Sequence, residues 1–283
     1  MLDNLSSSHR LAMTACHTAA ARARESQRED HLFNDPWAER LAGPESKEWM
    51  EQQSFDRGIT IIVRTRFFDD FLLRAITASS LRQVVLLAAG LDTRAYRLPW
   101  PDRTHLFEVD QPRVLEYKEQ ILRDSGAHPG CSRTPIAGDL TTPWRDALLQ
   151  AGFQPQQPSV WLVEGLLPYL PNEVAAHLLD EITSLGTQGS WLGFDAVNGV
   201  MLTSPWMQPL VASCAQNGTP WIGTMDDPVA DLAARGWQAT VTQPGEADAH
   251  YGRWPYPPLA QMMPVMPATS AMPRHWLVTA HKS

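Results

Sequence analysis

Two residues in the first half of the chain have the types and spacing of a nucleoside-binding site. Gly90 ends an apolar run that starts at Val84, and Asp110 ends the next apolar stretch, twenty residues after that glycine. A glycine turn lets the backbone come close to a ligand because no Cβ stands in the way. A carboxylate after the next strand can accept hydrogen bonds from both hydroxyls of a ribose. The pair therefore predicts a cofactor that contains a nucleoside.

The loop at Gly90 also indicates which cofactor this is. A dinucleotide fingerprint needs three glycines around the pyrophosphate, whereas residues 88–94, AAGLDTR, contain one. Asp92 lies where the pyrophosphate would sit and would repel it. A cofactor with a ribose but no phosphate fits better, and S-adenosyl-L-methionine is such a molecule. For Gly90 and Asp110 taken alone, an incidental glycine and aspartate in an α/β core remain the alternative.

Two further strand ends carry acids, in Gly138-Asp139-Leu140 and Glu164-Gly165. Because ligands of open α/β sheets bind beyond the carboxyl ends of the strands, these residues are expected to meet Gly90 and Asp110. Carboxylates near one crevice are costly unless they meet donors or cations. The sulfonium, ammonium, ribose and adenine amine of the cofactor would supply them. Helix N-capping is the alternative for Asp110 and Asp139.

The order of the elements predicts the fold. Apolar runs near residues 84–88, 106–109, 134–137, 160–163, 191–194, 238–242 and 275–280 are typical of strands, and helical patterns lie between most of them. This α/β rhythm predicts a doubly wound, Rossmann-like, seven-stranded, mostly parallel sheet with helices on both faces. We expect one domain, with an N-terminal helical lid in residues 1–80, a cofactor-binding core in 81–197 and an acceptor region in 198–283.

Composition narrows the class of protein. The formal net charge of −8 disfavours nucleic acid and anionic membranes as partners. The three cysteines lack metal or disulfide spacing, so we expect no metal site and a reducing compartment. We see no apolar run long enough to cross a bilayer and no secretory signal at the start. The composition predicts a cytoplasmic protein without a membrane partner.

Five segments together resemble a known family. They are RTRFFDDFLL from Arg64, LLAAGLDTRAYRL from Leu86, FEVDQP from Phe107, GDL from Gly138 and VEGLLPYLP from Val163. The chain resembles the class I S-adenosylmethionine-dependent methyltransferases of the leucine carboxyl methyltransferase family, nearest to the bacterial branch of natural-product O-methyltransferases. The resembling segments span most of residues 10–200.

The resemblance implies a role for each matched residue. Arg64 would contact the cofactor carboxylate, Gly90 would let the amino acid end pass and Asp110 would hold the ribose. The adenine would lie between Asp139 and Leu140, and Glu164 would complete the site. The family usually has Gly-Ala-Gly in the first loop, and here Ala88 replaces the first glycine. Alanine tolerates that loop where φ is negative, and we expect binding to survive.

The methyl acceptor and the catalytic residues stay open at this stage. A carboxylate acceptor needs no base at pH 7, whereas a phenol or an aliphatic hydroxyl does. His250, Tyr251 and Arg253 are candidates to line an acceptor pocket, and Arg253 could hold an acceptor carboxylate. His31 and Tyr169 are further candidate bases. Tryptophans and methionines after residue 198 favour a small-molecule or peptide-like acceptor with apolar character.

Three rival hypotheses remain. The first is a nucleotide-dependent oxidoreductase, against which the missing glycines argue. The second is a methyltransferase of phenols or hydroxyls in place of carboxylates. The third is a catalytically silent protein that binds S-adenosylmethionine, which the alanine at position 88 favours. The expected reaction product of the cofactor is S-adenosyl-L-homocysteine. The sequence leaves the oligomeric state open.

Overall fold

The computed structural model describes residues 7–52, 58–78, 81–216, 218–256 and 272–283, with side chains from Thr14 onward. One sheet runs through this part of the chain. Its strands are β1 Gln83–Leu87, β2 His105–Asp110, β3 Ser132–Ala137, β4 Ser159–Val163, β5 Trp191–Val197, β6 Trp237–Thr242 and β7 His275–Lys282. Three of the methionines after residue 198, which the sequence assigns to an apolar acceptor region, lie outside the described residues: Met262, Met263 and Met266.

The strands are ordered β3-β2-β1-β4-β5-β7-β6. β1 to β5 pair in parallel, and β7 is antiparallel to both of its neighbours, β5 and β6. The predicted seven-stranded, mostly parallel sheet is therefore confirmed. The strand order reverses between β1 and β4, which is the point where doubly wound sheets bind their ligands.

Helices connect the strands, and further helices precede β1. They are α1 Ser7–Ser26, α2 Ala38–Glu51, α3 Ile59–Ala78, α4 Arg94–Arg97, α5 Pro112–Asp124, α6 Arg145–Gln150, α7 Asn172–Leu185, α8 Gly199–Thr203, α9 Gln208–Gln216 and α10 Pro228–Ala233. Short 3₁₀ turns occupy Leu167–Tyr169 and Ala247–Ala249. Within the described part of the chain, no helix is both long and apolar enough to cross a membrane.

Alternate residues of the central strands face two different apolar layers. In β1, Val84 and Leu86 belong to the cluster that contains the buried face of α3, whereas Val85 and Leu87 belong to the cluster that contains α7. All five residues of β1 and all five of β4 are buried. This burial explains why these strands are continuous apolar runs, as parallel strands covered on both faces are. Because β1 and β4 are parallel neighbours, their carboxyl ends lie at the same edge of the sheet.

The N-terminal helices lie beside that edge. α1 and α2 share an apolar cluster with Leu91, which follows β1. Arg22 on α1 donates from Nη2 to the Leu91 carbonyl over 2.6 Å and from Nε to Asp35 over 2.8 Å. α1 is thereby tied to the loop after β1. The division into lid, cofactor core and acceptor region stays a prediction.

Candidate active site

A cavity of about 290 Å³ opens at the carboxyl edge of the sheet. The ends of β1, β2 and β4 form its floor, and residues of α1 and α3 form part of its wall. The six residues predicted to bind the cofactor all line this cavity: Arg64, Gly90, Asp110, Asp139, Leu140 and Glu164. The structure brings them together as the strand-end argument expects. Their individual contacts to a cofactor stay predictions.

Asp110 holds the loop after β1 in place. Its Oδ2 accepts from the backbone N–H of Gly90 over 2.6 Å, and its Oδ1 accepts from the N–H of Gln111 over 2.6 Å. Burial raises the pKa of Asp110, and these two hydrogen bonds offset part of that rise. Gln111, rather than Asp110, is the N-cap of α5, and it caps without its side chain. Helix capping therefore does not account for Asp110.

Arg64 joins α3 to the ends of β4 and β5. Its Nε donates to Glu164 Oε1 over 3.0 Å, and its Nη1 donates to Asp195 Oδ2 over 2.9 Å. Burial alone would raise the pKa of Asp195, but Arg64 and His275 outweigh it and hold that pKa well below its usual value. Asp195 Oδ1 also accepts from the Gly165 N–H over 2.6 Å. Arg64 therefore sits in a fixed position at the cavity wall.

Gly165 leaves the space that the Arg64 guanidinium fills. Its φ is +69°, and a Cβ added there would lie 3.0 Å from Arg64 Nη2. A side chain at this position would be strained, because L-residues rarely adopt that φ, and its Cβ would crowd the Arg64 guanidinium. The absence of a side chain at Gly165 therefore allows Arg64 of α3 to occupy this position.

A second arginine, Arg94, contacts three carboxylates. The sequence did not predict this role for Arg94. Arg94 donates from Nε to Asp69 over 2.7 Å, forms an ion pair with Glu164 over 2.8 Å and pairs with Asp92. Arg97 donates to both oxygens of Asp69, from Nη1 over 2.6 Å and from Nη2 over 2.8 Å. The resulting network joins four carboxylates to three guanidinium groups.

The network was only partly visible in the sequence. Arg94 and Arg97 belong to the quoted motif LLAAGLDTRAYRL, but the motif gave them no role. Asp195 lies inside β5, two residues before its end, whereas Glu164 directly follows β4. The predicted fifth strand ends at Phe194, three residues short of the observed end at Val197, and therefore leaves out Asp195. β5 continues to Val197 and buries Asp195 to 2% exposure.

Asp139 and Leu140 line the cavity where the chain leaves β3. Asp139 is exposed, and its Oδ1 accepts from the backbone N–H of Thr141 over 2.9 Å and from the Thr141 hydroxyl over 2.7 Å. Trp144 is the N-cap of α6, so Asp139 does not cap that helix. Leu140 is half-buried and packs against the apolar layer that contains α7. This part of the cavity offers one acceptor group beside one apolar side chain.

Ala88 departs from the conformation that the sequence led us to expect. Its φ is +51°, not negative, and it lines the cavity. A left-handed backbone costs an L-residue about 1–2 kcal/mol relative to glycine. Alanine at this position therefore carries strain as well as an added methyl group.

The catalytic candidates lie elsewhere in the described structure. His250 is exposed, and the Tyr251 hydroxyl donates to Asp70 over 3.2 Å. Arg253 donates from Nε and Nη2 to Glu25 and from Nη1 to Asp30 over 3.0 Å. None of these three lines the cavity, and the Arg253 guanidinium is engaged with α1 and the residues after it. His31 is exposed as well, whereas Tyr169 lines the cavity.

Comparisons with known proteins agree with this geometry. The sequence profile of the leucine carboxyl methyltransferase family matches residues 15–183. A protein of Saccharopolyspora erythraea named "Putative S-adenosyl-L-methionine-dependent methyltransferase" is 38% identical over 265 residues, which cover 86% of this chain and 88% of that protein. A protein of Frankia alni with a name of the same class is 41% identical over 266 residues, covering 88% and 91% of the two chains.

Two solved structures share the fold. A DUF574 family protein from Streptomyces avermitilis superposes with a TM-score of 0.61 at 14% identity and covers 96% of this chain and 100% of its own. A protein of Thermobifida fusca named "putative methyltransferase" has a structure that superposes with a TM-score of 0.53 at 16% identity and covers 93% of this chain and 94% of its own.

The chain belongs to the leucine carboxyl methyltransferase family. The family predicted from the five sequence segments is therefore confirmed. The predictions of a methyltransferase and of S-adenosyl-L-methionine as its cofactor are confirmed at the level of this family and its named relatives.

Proposed function

We propose that this protein transfers the methyl group of S-adenosylmethionine to a carboxylate oxygen of a small-molecule or peptide-like acceptor, forming a methyl ester. The observation that carries the proposal is the convergence of the six predicted residues on one cavity at the strand-order reversal. The natural-product setting and a cytoplasmic location rest on the sequence prediction alone.

The cavity suits this cofactor at each end. Asp110 and Gly90 are already joined by a hydrogen bond, so a ribose beside them would meet a carboxylate whose position is fixed. The network of Asp69, Asp92, Glu164 and Asp195 has one more acid than it has arginines, which favours a ligand with a sulfonium and an ammonium. The Asp139 and Leu140 end suits the adenine.

The amino acid end of the cofactor also carries a carboxylate. Arg64 would contact that carboxylate while Glu164 faces the ammonium. The ion pair between Arg64 and Glu164 fixes both groups before any ligand binds. Preorganisation of this kind lowers the conformational entropy that binding must overcome.

The choice of a carboxylate acceptor rests on the acid–base character of the lining. When bound, the cofactor supplies an electrophilic methyl group, and the protein supplies alignment and exclusion of water. Among the described residues that line the cavity, none is a histidine. Burial raises the pKa of Tyr169, which keeps its hydroxyl protonated and makes it a hydrogen-bond donor instead of a base. An acceptor that is already ionised fits this lining better than a phenol.

The test is a transfer assay with methyl-labelled S-adenosylmethionine and paired acceptors. Each pair has one skeleton that carries either a carboxylic acid or a phenol. We expect label only in the acids, and the labelled product should lose its methyl group in mild base, as an ester does. Base-stable label in the phenols would replace the proposal with ether formation. Cofactor binding without transfer to either member of the pairs would favour a silent binding protein.

A further inference from the structure

The chain contains a long uncharged segment next to the cavity. From Gly199 to Met225 the sequence has no Asp, Glu, Lys, Arg or His, in a protein in which 19% of residues are charged. Within the described part of this segment, α9 buries none of its residues. A surface helix without a buried face and without charge is unusual, because such helices ordinarily bury an apolar stripe and expose a polar one.

Three large apolar side chains of this segment face solvent. Trp206 is 75% exposed, Leu210 is 40% exposed and Ile222 is 51% exposed. We call these three residues the apolar platform. Single exposed apolar residues are common, whereas three on one uncharged segment make this segment a candidate binding surface.

The platform is joined to the cavity through the 3₁₀ turn that contains Tyr169. The backbone N–H of Ile222 donates to the Pro168 carbonyl over 2.7 Å. Gly223 approaches the same turn so closely that an added Cβ would lie 2.3 Å from the Leu170 carbonyl oxygen. Since Tyr169 and Leu170 line the cavity, Ile222 lies directly beside its wall.

α9 reaches the same place from the other side. Burial raises the pKa of Tyr169, Trp221 lowers it, and Cys214 on α9 raises it again, so both residues lie near the Tyr169 hydroxyl. Leu210 is one helical turn from Cys214, and residues four apart share a helix face. Leu210 therefore shares with Cys214 the face of α9 that is near Tyr169.

We propose that the apolar platform binds the uncharged body of the methyl acceptor, an extended alkyl or aryl group whose carboxylate reaches into the cavity beside Tyr169. This inference rests on the proposed function, because it assumes that the acceptor oxygen enters that cavity. The contact of Ile222 with the turn at the cavity wall and the absence of charge from Gly199 to Met225 favour this occupant over a charged protein tail.

The test uses two fatty acids as probes, butyrate and dodecanoate, titrated by calorimetry in the presence of saturating S-adenosylhomocysteine. Each buried methylene group is expected to tighten binding by up to ~4-fold. We therefore expect dodecanoate to bind at least about ten-fold more tightly than butyrate. No dependence on chain length would overturn the proposal.

Variants of the apolar platform test whether its side chains cause this dependence on chain length. Trp206→Ala, Leu210→Ala and Ile222→Ala should each weaken dodecanoate binding by about 3- to 10-fold and leave the affinities for butyrate and S-adenosylhomocysteine unchanged. The matched control is Leu149→Ala, because Leu149 is 38% exposed on α6 and does not line the cavity. Platform variants that behave like this control would overturn the proposal.

Two further measurements test whether the apolar platform binds a second copy of the chain or a membrane. They also distinguish failure of this proposal from failure of the proposed function. Sedimentation and vesicle flotation of the same variants would show whether the platform joins two copies or binds a membrane. Loss of either association without a change in dodecanoate affinity would contradict the proposal. Failure of the wild type to bind S-adenosylhomocysteine would instead refute the proposed function itself.

Discussion

Acids at the ends of parallel strands perform two tasks in this protein. Asp110 and Asp195 each accept a hydrogen bond from a backbone N–H of a glycine, at Gly90 and at Gly165. Each glycine has a positive φ, so the acid holds a loop conformation that only glycine adopts easily. The same acids lie at or next to the cavity. Site residues of this kind organise the loops before they meet a ligand.

Substituting Gly165 tests the placement of Arg64. We expect Gly165→Ala to weaken S-adenosylmethionine binding by at least about ten-fold, because the new Cβ would displace the Arg64 guanidinium and its charge-assisted hydrogen bonds. Gly126→Ala is the matched control. Its φ of +64° gives similar backbone strain, but nothing lies within 4 Å of the added Cβ. Calorimetry should show reduced affinity in the first variant alone, and equal affinities would exclude the displacement.

Substituting Ala88 tests the strain in the first loop. With φ at +51°, we expect Ala88→Gly to raise the free energy of unfolding by about 1 kcal/mol, the relief of left-handed strain less the added entropy of the unfolded chain. Affinity for S-adenosylhomocysteine should stay equal or increase, since a methyl group leaves the cavity wall. Urea denaturation measures the first quantity. A less stable glycine variant would show that the alanine side chain contributes packing that outweighs its strain.

At the scale of elements, α1 is fixed by contacts from both ends of the chain. Glu25 has no exposed side-chain surface, and it accepts from Arg253, whose side chain is 7% exposed. Arg22, one turn earlier, pairs with Asp35. Because α1 lines the cavity through Thr14, Ala15, Thr18 and Arg22, these ion pairs set the position of one wall of the site. Arg253 thus acts on the site through α1.

Removing Arg253 should therefore destabilise the protein. Arg253→Ala removes the hydrogen-bonded cation of the buried Glu25 and leaves it the longer, 3.8 Å ion pair with Arg28, and loss of one partner of a buried pair costs about 3 kcal/mol or more. Lys47→Ala is the control, because the Lys47–Glu39 pair is 44% and 52% exposed and such pairs contribute about 0–1 kcal/mol. Thermal unfolding compares the two. If Arg253→Ala kept its stability but lost affinity for carboxylate acceptors, the acceptor role would be supported instead.

The helices and strands and the residues at the floor of the cavity could be predicted from the sequence. The ion-pair network around the cavity could not. Parallel strands end at one edge, so residues at strand ends are brought together by topology alone, as Gly90, Asp110 and Glu164 show. Ion pairs depend on which distant segments meet. Arg253 and Glu25 are 228 residues apart, and no periodicity in the sequence joins them. Their side chains are in contact because of the way α1 packs in the folded chain, and local sequence patterns do not specify that packing.

At the scale of the whole molecule, the buried charge network makes stability depend on pH. Burial would raise the pKa of Asp92, but Arg94, Lys118 and Arg97 outweigh it and hold that pKa at about 2, below the ordinary value of 3.8. A carboxyl whose pKa is lowered by folding stabilises the native state above its ordinary pKa. That contribution is lost as the pH falls through the pKa of the folded state.

We therefore expect the melting temperature to fall steeply as the pH is lowered from about 4 to about 2. Asp92→Asn should already be less stable at pH 7 and should show a shallower fall over the same range, because its amide does not titrate. Thermal unfolding at half-unit pH intervals measures both slopes. Parallel curves for the wild type and the variant would show that Asp92 does not contribute to the acid sensitivity.

The central claim is that S-adenosylmethionine binds in the cavity beside Asp110, and calorimetric titration of the cofactor and of S-adenosylhomocysteine tests it most directly. We expect saturable binding to the wild type and at least about ten-fold weaker binding to Asp110→Ala, since hydrogen bonds to a charged group contribute about 1.5–3 kcal/mol. Asp102→Ala, at an exposed aspartate ahead of β2, should bind as the wild type does. Equal affinity in the Asp110 variant, or no binding to the wild type, would contradict the account.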